Sequence, residues 1–191
     1  MLLRTGTELI NPFRVLERAG IRERMRVADF GCGALGHFAF PAAQLVGAKG
    51  KVYAVDILQD ALNILERRAK EDQYMNIEYV WSDFDVYRAT HISEGSLDLI
   101  LFVNNLFLSR NRQHLVKEMA RLLKRGGKVL VVDWKPTATA LGPPADRRLS
   151  PDDVKELFDV SEFDFADAYE AGKAHYALLF KRMDARLEPP R

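Results

Sequence analysis

Short apolar runs alternate with amphipathic helical segments along most of the chain, and this alternation limits the possible folds more than any other feature. The runs at 26–31 and 51–56 are rich in β-branched and aromatic residues, which favours strands. Leu58, Leu62 and Leu65 then recur at helical spacing, with charged residues between them. A repeated strand–helix–strand order predicts an α/β fold with a largely parallel sheet.

Five further apolar runs complete the predicted sheet. They are residues 76–81, 97–103, 128–133, 160–168 and 174–182. The last two strands follow each other with only a turn at 169–173 between them, so they are expected to pair antiparallel.

Helix ends are marked by residues with known capping preferences. A leucine-rich helical stripe over 115–123 is followed by Lys124, Arg125 and the pair Gly126 and Gly127, which predicts a left-handed glycine cap. Ser150 stands before a proline and two acids, a pattern typical of the start of a short helix.

Composition predicts one folded domain over residues 1–191, with a helical segment at 1–20 and a frayed tail at 184–191. The chain is 48% hydrophobic with a net charge of +1, which excludes extensive disorder and argues against a nucleic-acid partner. Cys32 is the sole cysteine, so an intrachain disulfide is impossible and a reducing cytoplasm is expected. No apolar run is long enough to span a membrane, and the N-terminal one is too short for a signal peptide.

A glycine turn directly after the first strand is the main candidate for a binding site. Gly31, Gly33 and Gly36 let the backbone approach a ligand closely, and the helix that follows favours a negative group. Asp56 ends the second strand, where a carboxylate can accept both hydroxyls of a ribose. The glycine spacing matches the dinucleotide fingerprint, so an NAD-dependent oxidoreductase is one interpretation.

Three features argue against the nicotinamide interpretation. Asp29 places a negative charge before the turn, where it would repel a pyrophosphate and attract an ammonium group. The chain after Asp56 completes the sheet without leaving a separate substrate domain. Tyr169 and Lys173 have the spacing of a dehydrogenase pair, but they fall in a predicted surface turn. The oxidoreductase is therefore kept as the alternative.

Five segments in register resemble the class I S-adenosylmethionine-dependent methyltransferases. They are VADFGCG at 27–33, VYAVDI at 52–57, SDF at 82–84, LDLILFVN at 97–104 and LLKRGGKVL at 122–130. The resemblance implies a Rossmann-like, doubly wound sheet of seven mostly parallel strands with a C-terminal antiparallel strand pair. It also implies a methyltransferase that holds S-adenosyl-L-methionine across the carboxyl ends of the first, second and fourth strands. A non-catalytic, regulatory binder of that cofactor is a second alternative.

The resemblance implies roles for residues at the first strand. Asp29 and the turn from Gly31 to Gly33 would hold the methionine part of the cofactor. The family's third glycine falls at Leu35 in this chain, and a glycine follows one place later at Gly36. The turn is therefore expected to differ locally from the family's usual geometry.

The resemblance also implies roles for residues at the other strand ends. Asp56 would bind the ribose hydroxyls, and Ile57 would pack on the adenine. Asp83 would accept a hydrogen bond from the adenine amino group, with the backbone of Phe84 beside it. Asn104 would line the cofactor near the methyl group.

The acceptor is expected to be a small molecule that the sequence does not identify. Asn104 and Asn105 do not match the Pro-Pro motif of enzymes that methylate adenine or glutamine amino groups, and one cysteine argues against arsenite methylation. Residues 1–13 and the proline-rich stretch 135–149 are predicted to wall or close the acceptor site. Asp133 and Trp134 either face the substrate or act as a cap and a core residue.

No general base or metal site is predicted. His37 borders the glycine turn and is more simply a solvated histidine than a base. His91, His114 and His175 have no metal-ligand spacing among them.

Overall fold

A computed structural model describes residues 9–137, 141–159 and 162–183. Within these ranges the helices are α1 (Pro12–Ala19), α2 (Ala39–Val46), α3 (Gln59–Glu71), α4 (Arg112–Leu122) and α5 (Pro151–Asp159). The strands are β1 (Arg26–Phe30), β2 (Lys51–Asp56), β3 (Ile77–Trp81), β4 (Leu97–Val103), β5 (Leu123–Trp134), β6 (Phe163–Gly172) and β7 (His175–Arg182). The predicted tail at 184–191 lies outside the described residues.

The strands form a seven-stranded sheet in the order β3-β2-β1-β4-β5-β7-β6. The first five strands in that order pair parallel, whereas β7 pairs antiparallel with both β5 and β6. This confirms the predicted fold class. The order reverses between β1 and β4, and open α/β sheets bind ligands at the carboxyl ends of the strands at such a switch point.

Helices cover both faces of the sheet, which explains why the central strands are apolar throughout. Val27 of β1 packs in a cluster with Leu16 of α1 and Leu62 of α3. The neighbouring Phe30 points to the opposite face, in a cluster with Leu115 of α4 and Phe158 of α5. No described helix has both the length and the apolar character needed to cross a bilayer.

The predicted glycine cap after α4 is wrong. The helix ends at Leu122, and the next residue, Leu123, is already extended and pairs with Leu97 of β4. Gly126 keeps a positive φ of 75°, but it lies inside β5, where the register shifts. Strand pairing therefore begins before the glycines are reached.

The predicted turn at 169–173 is also wrong, because β6 runs on to Gly172. Tyr169 pairs with Ala177 of β7, and its hydroxyl donates to the Val15 carbonyl of α1. It is thus a packing residue and not half of a dehydrogenase pair. The predicted start of this strand, at residues 160 and 161, lies outside the described residues.

The predicted start of α5 is confirmed by a reciprocal cap. The Ser150 hydroxyl accepts from the Asp153 amide at 3.1 Å, and the Ser150 amide donates to the Asp153 carboxylate at 2.7 Å. This is a capping box, in which the side chain of each residue accepts a hydrogen bond from the backbone amide of the other.

Candidate cofactor and acceptor site

A cavity of about 460 Å³ opens at the carboxyl ends of β1, β4 and β5. Small-molecule sites range over roughly 300–1,000 Å³, so the cavity has the size of a ligand site. Its lining comes from the turn after β1, the end of β4 with the residues that follow, Trp134 of β5, and the loop after β5. Of the predicted site residues, it brings together Asp29, Gly31, Gly33 and Asn104.

The glycines of the turn serve two different purposes. Gly33 has a φ of 61°, and a Cβ added there would meet no atom within 4 Å, so the backbone is open to a ligand on that side. Gly36 has the same φ, but a Cβ there would overlap Leu65 of α3 and Phe40 of α2. The shifted glycine thus serves helix packing, while Gly33 leaves room at the cavity.

Asp29 is a buried carboxyl group at the end of β1. Burial, together with the nearby Asp56 carboxylate, raises the pKa of Asp29 from 3.8 to about 7, against an opposing hydrogen bond from the Ala39 amide. No ion pair to Asp29 is found in the described ranges. A positively charged ligand group beside it would favour its ionised form.

Asp56 bonds to the backbone on both of its oxygens. One oxygen accepts from the Gly33 amide at 2.9 Å and the other from the Leu58 amide at 3.0 Å. The carboxylate therefore ties the glycine turn to the end of β2. Each carboxylate oxygen has a second lone pair, so the geometry leaves acceptor capacity for ribose hydroxyls.

An exposed apolar strip lies where the adenine is expected. Ile57 is 52% exposed and Leu58 is 63% exposed, next to Asp56. Trp81 at the end of β3 is 66% exposed and donates from its indole nitrogen to the Ile57 carbonyl at 2.8 Å. Ile57 is thus held at the surface with its side chain available for a flat ligand ring.

Asp83 and Phe84 lie beyond the lining of the cavity. The Asp83 side chain accepts from the Asp85 amide at 2.9 Å, a local turn that uses one of its oxygens. The Phe84 ring stacks on Phe30 at 5.6 Å and meets Phe102 edge-on at 5.4 Å. Its side chain is a core group, so its backbone is the part left for a ligand.

Two consecutive asparagines follow β4 and behave differently. Asn104 has a positive φ of 56°, and its buried side-chain oxygen has no hydrogen-bond partner within the described part of the chain. Asn105 donates to the carbonyls of Phe30, Gly31 and Val103 at 2.9–3.1 Å. Sequence reasoning missed Asn105. The available signal was an amide side chain directly after a strand that neighbours the glycine turn. Where two strands diverge, their backbone carbonyls lose their strand partners and need another hydrogen-bond donor.

The residue pair at the end of β5 divides between the two faces of the sheet. Trp134 lines the cavity, in line with a substrate-facing position. Asp133 instead accepts from the Leu106 and Trp134 amides at 3.2 and 2.7 Å, and burial raises its pKa to about 6. Asp133 therefore anchors the loop after β4.

The loop after β5 is organised around a buried arginine that sequence reasoning did not single out. Arg148 donates to the carbonyls of Lys135, Thr137, Leu141 and Pro143 at distances between 2.8 and 3.2 Å. Its guanidinium lies 5.5 Å from the ring of Trp134 in the cavity wall. The described parts of the loop thus fold against Trp134.

Histidines approach the cavity from two sides. His37 belongs to its lining. His175 is fully buried behind Trp134, with ring centroids 4.1 Å apart, and burial lowers its pKa to about 4, so it is neutral at pH 7. Across the described ranges, no cluster of three or more potential metal-ligating side chains occurs.

Known proteins resemble this chain in both sequence and structure. A family model described as a methyltransferase domain matches residues 21–171. Demethylmenaquinone methyltransferase of Lactococcus lactis is 28% identical over 120 residues, which cover 63% of this chain and 46% of that protein. The human tRNA N(3)-cytidine methyltransferase METTL2B is 29% identical over 121 residues, which cover 62% of this chain and 32% of that protein.

A solved structure extends the likeness to nearly the whole fold. A SAM-dependent methyltransferase from Aquifex aeolicus superimposes with a TM-score of 0.85 at 24% identity, covering 92% of each chain. By contrast, the chain spans less than half the length of the two curated relatives. Because the family model covers most of the chain, from the segment before β1 into β6, the chain belongs to the class I S-adenosylmethionine-dependent methyltransferase family.

Proposed function

We propose that this chain transfers a methyl group from S-adenosylmethionine to a small-molecule acceptor. The observation that carries the proposal is the buried Asp29 carboxyl beside a glycine turn that is open at Gly33. The amino-acid end of the cofactor has an ammonium group, which would stabilise ionised Asp29. The pyrophosphate of a dinucleotide would instead lie beside the Asp29 carboxyl, which repels a negative group when it is ionised.

The remaining cofactor contacts extend from this point along the carboxyl edge of the sheet. Asp56 would accept from the ribose hydroxyls with its free lone pairs, and Ile57 would cover the adenine. The free oxygen of Asp83 would accept from the adenine amino group, beside the Phe84 backbone. These assignments are supported by the hydrogen bonds of Asp56 and Asp83 and by the exposure of Ile57.

Asn104 would lie near the reacting methyl group. Asn104 lines the cavity between the glycine turn and Trp134, and its buried side-chain oxygen has no hydrogen-bond partner among the described residues. A carbonyl oxygen carries partial negative charge and would be favourable beside a sulfonium. When bound, the cofactor supplies the electrophilic methyl group, while the chain orients both reactants and restricts water.

The acceptor is proposed to be a small molecule in the cytoplasm. The names of the two relatives give different acceptors, a demethylmenaquinone and a tRNA cytidine. The net charge of the chain is +1, so it has no broad positive field of the kind with which proteins usually hold the phosphate backbone of a nucleic acid. The cavity of about 460 Å³ has the size of a small-molecule site, which supports a small acceptor more directly.

Calorimetric titration with S-adenosylhomocysteine, S-adenosylmethionine and NAD tests the proposal. We expect both adenosyl compounds to bind and to raise the melting temperature, since a ligand at about a hundredfold excess over its Kd stabilises by about 2.7 kcal/mol. NAD serves as the matched control, because it shares the adenosine part. Binding of NAD without the adenosyl sulfur compounds would overturn the proposal.

A further inference from the structure

The cavity extends past the residues proposed to hold the cofactor. Its outer half, defined by Phe107, Trp134, Gly142 and Pro143, lies on the far side of Asn104 from Asp29 along the sheet order. Methyl transfer requires the acceptor atom to approach the methyl group from the side opposite the sulfur. If the proposed function holds, the outer half is the place for the acceptor.

Among the described residues, the cations near the outer half already have partners and are not free to pair with an acceptor. Arg148 is directed at loop carbonyls through four hydrogen bonds, and Lys135 pairs with Glu170 at 2.7 Å. Arg147 lies 5.5 Å over the Phe107 ring and donates to the Phe107 carbonyl. The cations nearest this half therefore hold the wall together, and an anionic acceptor would gain no ion pair from them.

Within the described part of the chain, the carboxyl groups of Asp29 and Asp133 are also directed away from the outer half. Asp29 faces the proposed ammonium position, and Asp133 bonds to two backbone amides on the other face of the sheet. A cationic acceptor would thus lose its hydration without gaining an ion pair with either carboxyl group. Burying a charge without a partner is costly, so the outer half favours an uncharged molecule.

The wall of the outer half is apolar and aromatic, which favours an apolar ring as its occupant. The backbone of Gly142 packs so closely on the Trp134 indole that an added Cβ would overlap it, and Pro143 is buried beside it. Phe107 adds a second aromatic side chain to the lining. Aromatic walls contribute both apolar area and preferred ring–ring geometries.

We infer that the acceptor is a neutral, apolar ring compound bound in the outer half of the cavity, with Phe107 and Trp134 as its specificity-determining residues. The inference rests on the proposed function, because the cofactor sets which half is outer. It concerns binding selectivity and assigns no further residue to the chemistry.

Three naphthalene derivatives that differ in charge test the inference by calorimetry. They are 2-naphthol, 2-naphthoate and 2-naphthylmethylammonium, titrated at pH 7 into protein saturated with S-adenosylhomocysteine. We expect 2-naphthol to bind at least about tenfold more tightly than either charged probe. Equal or tighter binding of a charged probe, or no binding of 2-naphthol, would overturn the inference.

Adjacent apolar residues supply a matched pair of variants. Phe107→Ala removes an aromatic wall, whereas Leu108→Ala truncates a neighbour that is 55% exposed and outside the lining. We expect only Phe107→Ala to weaken 2-naphthol, by about fivefold or more, with partial recovery in Phe107→Leu. Equal effects of the two alanine variants would contradict the inference.

S-adenosylhomocysteine binding on the same samples separates the two proposals. If it binds and 2-naphthol does not, the acceptor inference fails while the cofactor proposal stands. If S-adenosylhomocysteine itself does not bind the wild-type chain, the proposed function fails first.

Discussion

The side-chain amide of Asn105 donates to the Gly31 carbonyl at 3.1 Å and so joins the end of β4 to the glycine turn after β1. The same amide reaches the Phe30 and Val103 carbonyls. One side chain therefore closes the gap that opens where the strand order reverses.

Replacing Asn105 by alanine is expected to lower stability, because carbonyls at the strand ends lose their donor. Leaving a buried acceptor unpaired costs about 1–3 kcal/mol, so the free energy of unfolding should fall by that amount. Asn104→Gly is the control, since the Asn104 side-chain oxygen has no partner in the described residues and glycine suits its positive φ. Urea unfolding of both variants measures the difference. Equal losses would show that Asn105 is no special tie.

The pH dependence of cofactor binding should report on Asp29. Its pKa of about 7 lies above the ordinary 3.8, so the folded apo chain holds a proton that the unfolded chain releases. Stability from this group is present below about pH 3.8 and is lost as the pH rises to 7. An ammonium ligand favours the ionised form, so affinity should rise from pH 6 to 8 with release of a proton.

Asp29→Asn provides the control for that prediction. The amide has the same shape but does not titrate, so the stability of this variant should lack the loss between pH 4 and 7 that Asp29 causes. Asp133 titrates in both proteins, so its contribution cancels when the two are compared. Calorimetry in two buffers of different ionisation enthalpy counts the released protons. A pH-independent affinity in the wild-type chain would show that Asp29 does not meet a cation.

Asp56→Ala should weaken both the fold and cofactor binding. The variant leaves the Gly33 and Leu58 amides without their acceptor, which should cost about 1–3 kcal/mol of unfolding free energy. Loss of two charge-assisted bonds to ribose should also weaken S-adenosylhomocysteine by roughly 2–4 kcal/mol, about thirtyfold to a thousandfold. A melting curve and a titration separate the effects. Lower stability with unchanged affinity would leave Asp56 as a backbone tie alone.

Arg148→Lys should loosen the loop after β5 without changing the cofactor site. Lysine keeps the charge but cannot donate in several fixed directions to loop carbonyls as a guanidinium does. We expect faster proteinase K cleavage within 135–149, while S-adenosylhomocysteine affinity changes by less than about twofold. Arg147→Lys, an exposed neighbour, is the control. Similar cleavage rates for both variants would argue against Arg148 as the organiser of the loop.

The fold and the general location of the site follow from the sequence because they depend on local patterns. The observed strands Lys51–Asp56 and Leu97–Val103 coincide with the predicted runs, since continuous burial on both faces leaves an unbroken apolar signature. Asp29 could be singled out because it places a negative charge at the end of the first strand, directly before a glycine turn that in dinucleotide-binding proteins meets a pyrophosphate. Each of these features is visible within a few residues of chain.

Features that depend on distant partners could not be predicted in this way. The start of β5 at Leu123 is set by its pairing with Leu97, whereas the local sequence predicts that the helix continues to the glycines at 126 and 127. The role of Arg148 depends on carbonyls that a loop brings around it, so the sequence shows only a basic pair among prolines. The two backbone bonds of Asp56 likewise exist only once β2 lies beside the turn.

Gly33 and Gly36 belong to one glycine motif but have different surroundings in the structure. A pattern search treats the glycines as one signature, yet here one faces a ligand cavity and the other an interhelical contact with Leu65 and Phe40. The glycine that completes the dinucleotide spacing, Gly36, is therefore required by the close packing of α2 and α3. Under the proposed function, the charge of the ligand depends on the residue before the turn, because ionised Asp29 would favour a cationic group and disfavour an anionic one.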